Sequence, residues 1–218
     1  MEAESIIKRL KSLRNPHNIE GMSRFGINPA NTLGIQIPVL RKLAKELGRD
    51  HNLALKLWES GIHEARILAG FVDDPLLVTS RQMDSWASDF DSWDVCDQVC
   101  ANLFDKTPFA YDKAAEWSSS CKEFVKRAGF ALMAALAWHD KDAPDSRFAR
   151  FFPIIKRESV DERNFVKKAV NWALRQVGKR NSILLKKAVQ TARQIQKINS
   201  KSARWIASDA IRELEPKA

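Results

Sequence analysis

Apolar residues recur at helical spacing along almost the whole chain. Ile6, Ile7, Leu10 and Leu13 make a first stripe. Pro38 opens a second run, through Leu40, Leu43, Ala44 and Leu47 to Gly48, with a proline at the start and a glycine at the stop. The same spacing predicts helices over about 51–60, 62–72, 79–90, 92–105, 108–119, 122–139, 144–158, 162–178, 181–197 and 200–214. Their breaks fall at Gly61, Asp73-Asp74-Pro75, Thr107-Pro108, Ala143-Pro144 and Gly178. Gly21 to Ile37, with Gly26, Pro29 and Gly34, reads as one long irregular connection. No segment alternates with the two-residue period of a strand. Eight glycines and eight prolines are also too few for a turn-rich sandwich or barrel. The expected fold class is all-α.

A repeat sharpens that reading. Phe124-Val125-Lys126-Arg127-Ala128 recurs as Phe165-Val166-Lys167-Lys168-Ala169, 41 residues on. Two helices fit in that interval, the period of a HEAT or armadillo unit. Arg66-Ile67-Leu68-Ala69 and Arg204-Trp205-Ile206-Ala207 are weaker echoes. Stacked helix pairs of this kind curve into an α-α superhelix with one concave face. The 218 residues are expected to form one such domain, as a monomer.

Charge then changes the picture. The net +9 is unevenly placed: residues 124–205 hold 19 Lys and Arg against 6 Asp and Glu, a net of +13, and the remainder nets −4. A basic block on a concave helical surface suits an anionic polymer, because each phosphate contact releases condensed counterions. A solvated, lysine-rich surface has the same composition. Met1 to Leu13 carries charges throughout and lacks the apolar run of a signal peptide, and no stretch is long enough to span a membrane. Cys96, Cys100 and Cys121 are odd in number and have no histidine cluster beside them. Neither a disulfide framework nor a metal site is expected, and a reducing cytoplasm fits.

The candidate chemistry starts from Asp91-Ser92-Trp93-Asp94-Val95-Cys96-Asp97. On a helix, Val95, Cys96, Val99, Cys100 and Leu103 form the buried face, with Trp93 at its edge and Asp97 just outside. A separation of four sets ring and carboxylate side by side. Such a pair is also compatible with a tryptophan at the rim of a core and solvated aspartates. Shifting by 41 turns Ala131 into Trp172 and Ala134 into Arg175. A tryptophan replacing a small residue beside the apolar stripe suggests a ring facing the concave groove, though a larger core filler would also do. Arg127 falls on the shoulder of its helix, away from the Phe124, Ala128, Ala131 and Ala135 face. The spacing of His17, His51, His63 and His139 pairs none of them with a nucleophile.

Taken together these strings resemble the AlkD-type DNA alkylation-repair glycosylases. Trp93-Asp94-Val95-Cys96-Asp97 is similar to that family's Trp-Asp-x-x-Asp motif, and Phe124 to Leu132 to the segment that carries its active-site arginine. Phe165 to Arg175 is similar to its other aromatic helix, and Leu33-Gly34-Ile35-Gln36-Ile37-Pro38 to a string near its N-terminus. The resemblance implies a stack of HEAT-like repeats that removes cationic N3- and N7-alkylated purines from duplex DNA without a metal or cofactor. It implies Asp97 as the catalytic carboxylate, Trp93 and Trp172 flanking the lesion's deoxyribose, and Arg127 holding the backbone. Lys126, Lys167, Lys168 and Arg175 of the basic block, with Phe25, are the expected DNA contacts. Ser92 stands where the family often has a second tryptophan, and Phe25 lacks the hydroxyl of its family counterpart. Two other classes fit the same helices: a repeat protein that binds bent or branched DNA without chemistry, and a HEAT scaffold for an acidic protein.

Overall fold

The computed structural model describes residues 2–217. Helices are the only extended regular structure among them, and no strand occurs. They gather into two compact units, one ending at Thr107 and the other beginning at Pro108.

The first unit holds α1 (Ala3–Ser12), α2 (Pro16–Arg24), α3 (Ile37–Leu47), α4 (His51–Glu59), α5 (His63–Val72), α6 (Ser80–Ser88) and α7 (Trp93–Asn102). Short polar side chains set where several begin. Asn15, Asp50 and Thr79 accept hydrogen bonds from the amides of Asn18, Leu53 and Gln82, each worth about 1 kcal/mol. Helix α2 occupies ground where the sequence predicted no helix. It buries none of its residues fully, so the apolar stripe that marks the others is missing. The run read as 92–105 ends as a helix at Asn102, and Phe104–Lys106 tightens into a 3-10 turn.

Helix α5 is the hub, with α3, α4 and α7 packed around it. Its first two residues tie down the rest of the unit. Glu64 is fully buried, and its carboxylate accepts the backbone amides of Leu33 (2.8 Å), Gly34 (2.6 Å) and Ile35 (3.2 Å). Gly34 adopts φ +78°, and a Cβ there would collide with the carbonyl oxygen of Asn15. Further along the same loop, Asn28 donates its amide to Ser92 Oγ (2.9 Å) and its side chain to Asp91 (2.8 Å). The residues predicted to be irregular are thus an ordered strap fixed at both ends. The other tie is His63, whose Nε2 lies 2.8 Å from Asp94 Oδ2 in the first turn of α7.

The second unit comprises α8 (Ala110–Trp117), α9 (Glu123–His139), α10 (Asp145–Ala149), α11 (Phe151–Glu158), α12 (Asn164–Gly178), α13 (Ser182–Gln196) and α14 (Lys201–Leu214). The run predicted as 144–158 breaks at Arg150 into α10 and α11. Helix α9 is buried on every side from Arg127 to Ala137. Gly129 permits its approach to α8, because a Cβ there would sit 2.6 Å from the amide nitrogen of Ser118. Helix α12 packs on α9, α13 and α14. The 41-residue repeat appears as recurring bonds between partners about one repeat apart. Phe124 and Phe165 are in ring contact at 5.4 Å, Arg163 Nη1 donates to the carbonyl of Cys121, and Ser202 Oγ donates to the carbonyl of Asp161.

Two predictions concern the ties of α5. Glu64→Gln replaces one acceptor oxygen by a donor opposite three buried amides and should lower stability by about 2–4 kcal/mol, read from urea unfolding. Burial of His63 disfavours its charged form, but the bond to Asp94 and the charges of Asp94, Glu64 and Asp91 outweigh this and hold its pKa above 6.5. The folded state therefore binds the proton more tightly than the unfolded chain. That stabilisation is full below pH 6.5 and is lost as pH rises through the folded pKa. The gap in urea midpoint between wild type and His63→Gln should narrow from about pH 6 to about pH 8. Parallel profiles would refute the linkage.

Candidate functional site

In the first unit, α7 buries Val95, Cys96, Val99 and Cys100, and Leu103 just beyond it, as the helical period predicts. Trp93, its first residue, is half-buried, and its Nε1 donates to the carbonyl of Phe25 at 3.1 Å. This bond fixes the indole against the end of α2, while the ring of Phe25 stays 74% exposed beside it. Asp97 follows one turn after Trp93 and is also half-buried. Burial raises the thiol of Cys100 well above its ordinary range; the adjoining Cys96 and the charge of Asp97 add to the shift.

A cleft of about 550 Å³ opens beside these residues. Met22, Phe25, Ile35, Ile67 and Trp93 make its walls apolar, and His63, Asp94 and Gln98 supply its polar end. Asp97 is not among the lining residues; Asp94 is. The side chain of Asp94 is 13% exposed, with one oxygen on His63 and the other, Oδ1, buried without a hydrogen-bond partner. No sequence signal pairs His63 with Asp94, which lie 31 residues apart on different helices. Ser92, standing where the family often has a tryptophan, is fully buried and anchors the strap through Asn28.

In the second unit the expected residues divide into two groups. Some already have partners within the chain. Arg127 is buried, not exposed on a helix shoulder as expected, and its Nη1 donates to the carbonyl of Phe165 at 2.7 Å. Helix α9 has no outward shoulder at that point, because α8 and α12 cover it. Lys126 bridges Glu158 (2.7 Å) and Asp161 (3.2 Å). Burial pushes Asp161 up, but bonds from Arg163 and Lys126 outweigh it and bring the carboxyl to about 2. Arg175 pairs with Glu213 and, at 3.6 Å, with Asp209. Lys179, more than Arg175, holds Glu213 below the usual carboxylate range.

Others face outward. Lys168 is exposed on α12 and Trp172 is half-buried one turn further on. Lys167 lies 5.5 Å from the ring centre of Trp205 on α14, an aromatic contact that the sequence reading passed over. Its only hint was the weak repeat echo at Arg204-Trp205. Among the described residues, no group of three or more His, Cys, Asp or Glu is placed to hold a metal ion. No helix among them is long and apolar enough to cross a membrane.

Comparison with known proteins identifies the fold and the family. A solved structure reported as a new family of proteins related to the HEAT-like repeat DNA glycosylases, with affinity for branched DNA structures, superposes at a TM-score of 0.78. It is 20% identical, and the match covers 98% of this chain and 96% of the other. The fold is therefore that of the HEAT-like repeat glycosylases. Uncharacterized proteins of Listeria innocua and Listeria monocytogenes are each 24% identical over 194 residues, spanning 87% of this chain and 84% of the relative. Residues 6–214 match the profile of the DNA alkylation repair enzymes, and the chain belongs to that family.

Proposed function

We propose that this protein is a DNA glycosylase that releases cationic alkylated purines, of the 3-methyladenine and 7-methylguanine type, from duplex DNA. The observation that carries the reading is the Trp93–Asp97 pair on α7, in a chain that belongs to the DNA alkylation repair family. An N3- or N7-alkylated purine is already positively charged, so it departs without a general acid. The positive charge then passes to the deoxyribose, as in other glycosyl transfers. A carboxylate at position 97 opposes that charge and orients the attacking water. The indole of Trp93 adds about 0.5–2 kcal/mol by cation–π attraction. The hydrogen bond from Trp93 to the Phe25 carbonyl supports the role, since it fixes the ring before DNA arrives. Arg127 holds the entry of α12 through its bond to the Phe165 carbonyl.

For DNA contact we propose Lys167, Lys168 and Phe25 ahead of Lys126 and Arg175, whose charges are already balanced by Glu158, Asp161, Asp209 and Glu213. A second reading, binding of branched DNA without chemistry, is favoured by the reported affinity of the superposing structure.

Release of 7-methylguanine from methylated duplex DNA decides between the two. Asp97→Asn keeps the side chain's size and removes its charge. It should cut release on the order of a hundredfold or more while leaving duplex affinity unchanged or slightly raised. Equal rates for wild type and Asp97→Asn would remove Asp97 from catalysis, and no release by the wild type would hand the protein to the second reading. Lys168→Ala should reduce the slope of log affinity against log salt by about 1. Lys126→Ala should leave the slope alone and lower the melting temperature.

A further inference from the structure

Trp205 lies in the second unit, outside the proposed catalytic set. It is 42% exposed, whereas six of the unit's other eleven Phe, Tyr and Trp are buried and four are half-buried; Trp138, on α9, is 61% exposed. On α14 it belongs to an outward stripe of Lys201, Arg204, Trp205 and Ser208, all exposed. From α12, Lys167 holds its ammonium 5.5 Å from the indole centre, with exposed Lys168 next to it in sequence. Lys168, Lys201 and Arg204 form no ion pair among the described residues. One turn on, Arg212 turns back onto Asp209. The outer part of the stripe therefore carries unbalanced positive charge around one accessible indole.

We infer that this stripe binds DNA carrying an unpaired segment, with Trp205 stacking on an exposed base while Lys201, Arg204 and Lys168 contact its phosphates. The charge selects a polyanion. The indole selects a flat, exposed π-face, which an intact duplex offers only at its ends and an unpaired nucleotide offers throughout. Lys167 acts as a brace: a cation on one side of the ring restrains the indole and makes it a fixed platform. An acidic protein would satisfy the cations but would give no reason for the ring. The inference rests on DNA as the partner and not on base release, so it is tested on unmodified DNA.

The experiment compares the full chain on two labelled DNAs by fluorescence anisotropy, at fixed salt: a blunt duplex, and the same duplex with a tail of about six thymidines, within the site size of a stacking groove. The wild type should prefer the tailed DNA. Trp205→Ala should lose that preference by a factor of about 5 to 100 and leave blunt-duplex affinity within about twofold. Trp205→Phe should keep most of it. Lys201→Ala and Arg204→Ala should weaken both DNAs and each lower the salt slope by about 1. If Trp205→Ala fails to fold, Trp205→Leu, which stays apolar but cannot stack, takes its place in the comparison. Equal binding of the two DNAs by the wild type, or an unchanged preference in the alanine or leucine variant, overturns the inference. So does displacement of both DNAs alike by a polyglutamate peptide with no dependence on Trp205. Loss of 7-methylguanine release with the tail preference intact would remove the proposed chemistry and leave this site standing.

Discussion

A single buried carboxylate organises the first unit. Glu64 takes three consecutive backbone amides, and those amides belong to a strap with no ladder or helix of its own to satisfy them. Buried N–H groups without acceptors are expensive, so the strap has one low-energy path, across the start of α5. The rest follows from that path. Gly34 is needed where the strap crosses the carbonyl of Asn15. Asn28 comes within reach of Ser92, and the entry of α7 is thereby set. Trp93 is the first residue of α7, and its place beside Phe25 inherits the precision of the whole chain of contacts.

The same unit shows how acidic groups are stationed near a site without cancelling it. Asp94 and Asp97 lie in the first turns of α7 and Asp91 just before it, where the positive end of the helix dipole favours carboxylates. Asp91 and Asp94 are engaged elsewhere, by Asn28 and His63. The unit that holds them carries 13 of the chain's 36 Lys and Arg against 15 of its 27 Asp and Glu.

How much of this could be read from the chain depends on the range of the interaction. The buried face of α7 was legible because a helical period of apolar residues needs no knowledge of the neighbours. The 41-residue repeat was legible for the same reason, and it reappears as the Phe124–Phe165 contact. Helix α2 was not, since nothing in Pro16–Arg24 is fully buried. Arg127 was misplaced because the run from Phe130 to Ala137 is apolar all round, the mark of a helix enclosed on every side, which leaves no shoulder for a charge. The His63–Asp94 pair and the partners of Lys126 and Arg175 join residues 31 to 38 apart. Each side chain reads as an ordinary polar surface residue until the fold supplies its partner.

Those pairings alter what the protein looks like from a distance. A lone lysine projects the field of a monopole, whereas a one-to-one pair such as Arg175 against Glu213 projects that of a dipole, which falls off faster with distance. Formal charge is thus a poor guide to long-range attraction in this chain. A polyanion approaching through salt solution senses the unpaired cations of the C-terminal block more than the paired ones, and these set the direction of its approach. The paired cations, among them Lys126, Arg175 and Lys179, take little part in capture and serve as internal mortar between helices of the unit.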